Sequence, residues 1–206
     1  MKDPDLEILE RTVCYQGFYQ LRRLRLRHRL FAGGMSPPLV REVVDKGDVA
    51  GVLLYDPERE QVVMVEQFRV GAHADPRGPW LLEIVAGLIE PGETAAEVAQ
   101  REAVEEAGCT IGDLLPMTSF YTSPGQTSQR THLFLGRVDS SGACGIYGLA
   151  DEGEDIRVVC LPIDEALALV DSGGIDSAWP LIALFWLSRH HRRVRQQWLS
   201  AACYAP

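Results

Sequence analysis

The chain has 206 residues, of which 46% are hydrophobic, and a formal net charge of −9. That describes one ordinary domain with a small appendage and enough apolar side chain for a proper core. So acidic a protein repels phosphate backbones and anionic lipid, which excludes general nucleic-acid and membrane-surface binders.

Five cysteines (Cys14, Cys109, Cys144, Cys160, Cys203) are scattered without a Cys-x-x-Cys pair, so neither a zinc site nor a disulfide framework is indicated. A reducing cytoplasm is the expected setting. Met1 to Glu7 is charged and has no signal-peptide core. The longest apolar run, Leu181 to Leu187, is too short to span a bilayer.

Residues 10–31 have strand character, Leu21, Leu24 and Leu26 mixing with arginines in partial period-2 alternation. Gly33-Gly34 and Pro37-Pro38 then break the chain, and Leu39 to Val44 reads as another strand. This first piece is too small to bury its own core, so it is expected to pack on the main domain or on a partner subunit. From Asp48 the patterns strengthen. Val49–Leu54 and Val62–Glu66 form a hairpin about the turn Asp56-Pro57-Glu58-Arg59. Trp80 to Val85 reads as one strand running into an acidic loop.

That loop and the helix after it hold the chemistry. Pro91-Gly92 is a turn, Thr94 with Glu97 makes a capping box, and Gly108 is placed to end the helix. Ala96, Ala99, Ala103 and Ala107 share one small face suited to close packing on a sheet. Glu102, Glu105 and Glu106 share an adjacent arc. Like charges at i,i+4 cost roughly 0.2–0.5 kcal/mol per pair, and Arg101 offsets only part of that. The residues alone leave two readings: a solvated acidic face, or hard oxygen ligands for a divalent cation.

Strands Met117–Tyr121 and Thr131–Val138 follow, joined through Ser123-Pro124-Gly125. The loop from Asp139 to Asp155 is long, and long ordered loops are usually functional. It carries Asp151, Glu152, Glu154 and Asp155, with Gly142, Gly145, Gly148 and Gly153 as candidate hinges. Ile156–Leu161 is a strand and Asp164 begins a short helix. Ser177 is placed to cap a last helix from about Ala178 to Trp198. Arg189-His190-His191-Arg192-Arg193 reads as the polar face of that helix, its two histidines pointing apart. Strands on both sides of one central helix give a mixed sheet flanked by helices.

Gly87, five residues, Glu93, seven residues, Arg101-Glu102, two residues, Glu105-Glu106, one residue, Gly108: this spacing resembles the Nudix box in full. Ala103 and Cys109 depart mildly, standing where larger aliphatics are common. Pro124, fifteen residues past Cys109, resembles a marker of ADP-ribose pyrophosphatases within that family. Arg27–Phe31, Trp80–Glu83 and Gly148–Glu152 also look like the bacterial ADP-ribose diphosphatases.

The resemblance implies a Nudix-type α/β/α sandwich over residues 47–206, preceded by a small β-rich domain over residues 1–46 that pairs across a two-fold axis in a homodimer. It implies Mg²⁺, with Mn²⁺ as a substitute, and hydrolysis of ADP-ribose to AMP and ribose 5-phosphate by metal-activated water. The metal ligands would be Glu102, Glu106, the main-chain carbonyl of Ala86, and Glu105, with Glu93 and Arg101 in support. Arg41 and Arg69 would bind substrate, Ser123 and Pro124 would line its site, and Phe18 would stack on adenine across the dimer. Gln129 stands where close relatives carry an acidic residue. Glu152 would be the general base, with Glu154 the second choice. Metal ions would invert the local sign of an acidic protein and so reconcile it with an anionic substrate. The rival readings are a Nudix hydrolase of another substrate, such as GDP-mannose or a dinucleoside polyphosphate, and a non-catalytic ADP-ribose-binding module. Such a module is expected to lose box glutamates, which this chain keeps.

Overall fold

The computed structural model describes residues 5–202; Cys203 and the first four residues lie outside that range. The described chain divides into two compact units. One comprises the residues up to Asp48 together with Phe120–Arg130, the other Val49–Ser119 with the residues from Thr131 onward.

In the first unit, strands β1 (Leu6–Gln16), β2 (Gln20–His28) and β3 (Leu39–Asp45) form an antiparallel sheet in that order. Leu21, Leu24 and Leu26 are half-buried, while Arg22, Arg23 and Arg25 between them are exposed, as the broken alternation of the sequence requires. Many large apolar side chains stay uncovered here, among them Leu9, Val13, Tyr15, Phe18, Phe31 and Val40. The segment 120–130 is stitched to β3. Val44 N–H donates to the Gln126 carbonyl at 2.8 Å, and Ser128 Oγ donates to Asp45 at 2.8 Å.

The second unit is built on a sheet of β4 (Val49–Asp56), β5 (Gln61–Phe68), β6 (Trp80–Glu83), β7 (Val85–Leu88), β8 (Leu114–Tyr121), β9 (Arg130–Arg137), β10 (Gly145–Tyr147) and β11 (Ile156–Pro162). The main order is β10-β11-β5-β4-β9-β8, with β6 on β5 and β7 on β4. The β4–β9 pair is parallel and the β4–β5 and β5–β11 pairs are antiparallel, so the sheet is mixed. The single strand expected over Trp80–Val85 is two. The chain leaves β5 after Glu83 and joins β4 at Val85, and fully buried Ile84 makes the step.

Helix α1 (Ala95–Ala107) covers one face of this sheet. Its Val98, Ala99, Ala103 and Ala107 pack on Val52, Leu54, Val63, Val65, Val85, Ile156 and Val158. Small side chains let the helix axis approach closely, which the alanine stripe provides. Helices α2 (Ile163–Asp171) and α3 (Ala178–Ala202) lie on the opposite face, where Tyr55 packs on Trp198 and His191 of α3. This is the α/β/α sandwich. Ser177 precedes α3, but its hydroxyl makes no capping bond; it is buried without a hydrogen-bond partner. Among the described residues no helix is long and apolar enough to cross a membrane.

Buried Asp56, at the end of β4, fastens the start of the long loop. Its carboxylate accepts from the backbone N–H groups of Glu58, Arg59 and Ser140, from Ser140 Oγ and from Arg59 Nη1, at 2.8–3.0 Å. Burial alone would raise its pKa, but the bonds from Ser140 and Arg59 outweigh that and hold the carboxyl well below the usual range. The loop is more ordered than a bare connection. It contains a 3₁₀ turn at Ser140–Gly142 and strand β10.

Candidate active site

The capping box fixes the entry to α1. Thr94 N–H donates to the Glu97 carboxylate at 2.8 Å, and Glu97 N–H donates to Thr94 Oγ1 at 3.3 Å. Gly108 ends the helix in the left-handed region at φ 62°. Between these stops, the arc beside the alanine face presents the carboxylates to the end of β7.

There the space is tight. A Cβ on Gly87 would lie 1.8 Å from Glu102 Oε1, so glycine is what lets Glu102 rest over this backbone. Glu106 is buried, and Ala86 N–H donates to its Oε2 at 3.1 Å. Burial, then the charge of Glu102, push the Glu106 carboxyl up to about 8, with Glu154 adding to the rise and Ala86 N–H and Arg69 opposing it. Glu102 is likewise raised by burial, against the pull of Arg101. Two carboxylates this poorly compensated fit a bound cation.

Arg101 does not supply that charge at Glu106. Its guanidinium donates to Glu102 at 2.8 Å, Glu105 at 3.0 Å and Glu93 at 3.3 Å. Glu93 also accepts from Glu90 N–H at 3.1 Å, tying the acidic loop to the helix. Among the described residues no three His, Cys, Asp or Glu side chains form a complete metal cage. A cation held here would therefore complete its shell with backbone oxygen, water and substrate phosphate, which is how Mg²⁺ is commonly held.

Arg69, just past β5, donates through Nε to buried Glu83 at 2.6 Å. The long loop brings one glutamate to the cluster: half-buried Glu154 raises both Glu102 and Glu106 by its charge, and it accepts from Leu149 N–H at 3.0 Å. Glu152 stands exposed at the loop tip. In the sequence, Glu83 stands out only as part of the Trp80–Glu83 likeness and Glu154 only as the second choice of general base. Strand register could have found both, since Glu83 and Val65 are opposite one another and Glu154 lies two residues before buried Ile156.

The remaining sequence-derived residues lie in the first unit. Arg41, on β3, is exposed and donates to the neighbouring Val40 carbonyl at 2.8 Å. Phe18, in the β1–β2 turn, is exposed; Tyr19 meets it edge-on and Lys46 Nζ lies 3.9 Å from its ring centroid. Ser123 accepts from Gln126 and Thr127 N–H through its carbonyl, Pro124 is exposed beside it, and half-buried Gln129 donates through its backbone N–H to Thr127 Oγ1.

Known proteins resemble this chain in sequence and in fold. The family profile described as NUDIX domain matches residues 45–184. The ADP-ribose pyrophosphatase of Escherichia coli K12 is 47% identical over 194 residues, covering 94% of this chain and 93% of that protein. The ADP-ribose pyrophosphatase of Haemophilus influenzae is 43% identical, covering 94% and 91%. The GDP-mannose pyrophosphatase of Citrobacter koseri is 34% identical, covering 71% and 76%. A crystal structure of an ADP compounds hydrolase superposes with a TM-score of 0.69 over 98% of both chains at 19% identity, a likeness of fold. The chain belongs to the Nudix family, and it is a Nudix hydrolase.

Proposed function

We propose that this enzyme hydrolyses the diphosphate bond of ADP-ribose, giving AMP and ribose 5-phosphate, with Mg²⁺ as its metal and Mn²⁺ as a substitute. The observation that carries the reading is the crowded pair of Glu102 and Glu106 over Gly87, in a chain 47% identical to ADP-ribose pyrophosphatases. Glu102, Glu106, the Ala86 carbonyl and Glu105 would hold the cation, with the charge of Glu154 acting on both helix carboxylates from the loop. When bound, the ion neutralises diphosphate charge, lowers the pKa of water and orients the reacting groups.

The chain's own residues do the rest. Arg101 orients Glu102 and Glu105, and Glu93 braces Arg101. Arg69, held by Glu83, offers its remaining donors to the diphosphate. Glu152, exposed at the tip of the long loop, takes the proton from the attacking water. Arg41, Ser123, Pro124 and Gln129 contact the nucleotide, and Phe18 stacks on adenine from a partner subunit of a homodimer. Residues 1–46 are the pairing domain and 47–206 the catalytic one. The described cysteines are free, as suits the cytoplasmic setting we assign.

The test is Mg²⁺-dependent turnover of ADP-ribose against GDP-mannose, with products identified by mass. A higher kcat/KM for ADP-ribose, with AMP formed, is the expected result. The reverse preference would replace it with the second reading, a GDP-mannose hydrolase, which the 34% identity to that group keeps in play. Binding of ADP-ribose without any turnover would make the chain a non-catalytic module.

A further inference from the structure

Helix α1 ends with one carbonyl left for another element. Gly108 N–H donates to Val104 O at 3.0 Å, and Cys109 N–H reaches back to Ala103 O at 2.9 Å. In a continuing helix Cys109 N–H would go to Glu105 O, so that carbonyl is left over. The long loop supplies the missing donor: Gly148 N–H donates to Glu105 O at 3.2 Å. Directly before that bond, Tyr147 rests its ring on the helix end. Tyr147 stands opposite buried Ile156 of β11 and shares the face that packs on α1. The ring lies so close that a Cβ on Gly108 would be 2.5 Å from its Cε1 and 2.6 Å from its Oη. Gly108 therefore has two tasks, the left-handed turn and an open side for the ring.

Beyond Tyr147 the chain closes on itself. Glu154 N–H donates to Leu149 O at 3.1 Å, and Leu149 N–H donates to the Glu154 carboxylate at 3.0 Å. Glu152 N–H also donates to Leu149 O, at 3.0 Å. At Gly148, a Cβ would lie 2.6 Å from the Cβ of Glu154. Residues 148–154 thus form one small closed piece that carries both Glu152 and Glu154. Its two ends leave side by side, through the paired Tyr147 and Ile156. The contacts with Gly108 and Glu105 fix that base on the helix that bears Glu102, Glu105 and Glu106. We propose that Tyr147 is a positioning residue: its ring, seated on Gly108, holds the 148–154 piece against α1 and so sets where Glu152 and Glu154 act. This rests on the diphosphate-hydrolase reading above and assigns to it a residue outside the carboxylate helix and its loops.

The experiment compares wild type with Tyr147→Phe, Tyr147→Leu and Gly108→Asn, each well below its thermal midpoint. It reads amide exchange in 148–154 and in α1, the midpoint rise caused by Mg²⁺, and kcat and KM for ADP-ribose as Mg²⁺ is titrated. Tyr147→Phe keeps the ring and should stay within about twofold of wild type throughout. Tyr147→Leu fills the core but cannot cover Gly108. Exchange in 148–154 should quicken about tenfold or more while α1 stays as in wild type. Its kcat should fall about 10- to 100-fold, as for a reacting group misplaced by about 1 Å, with a higher Mg²⁺ requirement and little change in KM. Gly108→Asn tolerates the left-handed backbone, yet its Cβ displaces the ring, so it should reproduce Tyr147→Leu from the other side and decides the matter if that variant does not fold. A lower midpoint with kcat and Mg²⁺ requirement within twofold of wild type would make the ring mere packing and overturn the proposal. So would unchanged exchange in 148–154, equal quickening in α1, or a Tyr147→Phe that behaves like Tyr147→Leu. A wild type inactive on ADP-ribose would fell the substrate assignment only. The exchange pattern and the Mg²⁺ midpoint rise, expected to be smaller in Tyr147→Leu, then decide, and an equal rise overturns the proposal.

Discussion

One methyl group should be enough to move the helix carboxylate. In Gly87→Ala the new Cβ would sit where Glu102 Oε1 now lies, and because the obstacle is the end of a flexible side chain, Glu102 swings away while the fold survives. Misplacing a reacting group by about 1 Å can cost 10²-fold, so a loss of about 10² in kcat with a thermal midpoint near wild type is expected. Glu106→Gln puts a neutral amide of the same size in place of a buried carboxyl that burial and Glu102 disfavour as an anion; the metal-free protein should melt at the same temperature or higher, while Mg²⁺-dependent turnover nearly vanishes. Normal activity in that variant at saturating Mg²⁺ would refute the metal assignment. The two loop glutamates separate by readout. Glu152→Gln should lower kcat by about 10²–10⁴ with the Mg²⁺ requirement little changed, as befits a general base. Glu154→Gln should instead raise the Mg²⁺ concentration needed for half-maximal rate. Exchanged behaviour of the two would exchange their roles.

At the scale of elements, stability is gathered at a few junctions. Thr94→Ala breaks the capping box and should cost about 0.5–2 kcal/mol, readable by denaturant unfolding. Asp56 ties the β4–β5 turn and Ser140 together, so Asp56→Ala should cost about 2–5 kcal/mol at neutral pH. The sign of its pH dependence follows from a carboxyl whose pKa is lowered on folding. Its stabilisation is complete above the ordinary value of 3.8 and fades as pH falls towards the depressed value. Wild type should thus lose stability below about pH 4 more steeply than Asp56→Asn; parallel acid-unfolding curves would contradict the assignment.

These junctions also show what could be read from the residues alone. The α1 caps, the β4–β5 hairpin and the close alanine face follow from local rules, because caps, turns and periodicity act within a few residues. The break at Ile84 does not. Trp80–Leu88 is continuous in character, and only pairing with two different strands divides it. Ser177 has the right chemistry and position for a cap, yet its hydroxyl is turned into the protein and makes no bond.

For the molecule as a whole, the uncovered apolar side chains of the first unit matter most. Leu9, Val13, Tyr15, Phe18 and Val40 are each exposed apolar side chains that a monomer would have to solvate, and a homodimer is the expected state at micromolar concentration. Sedimentation would check it, and a monomer would count against the pairing domain. A chain beginning near Lys46 should be monomeric or aggregate, and bind substrate poorly. The make-up of that unit bears also on how it is born. Its three strands are made before the second unit, yet β3 and the residues just after it wait for Gln126, Ser128 and Arg130 to satisfy Val44, Asp45 and Asp48. Those residues emerge roughly 80 positions later, some 4–16 s at about 5–20 residues per second. For that interval a half-finished, apolar sheet is outside the tunnel, and overexpression is the moment at which neighbouring nascent chains can find each other through it.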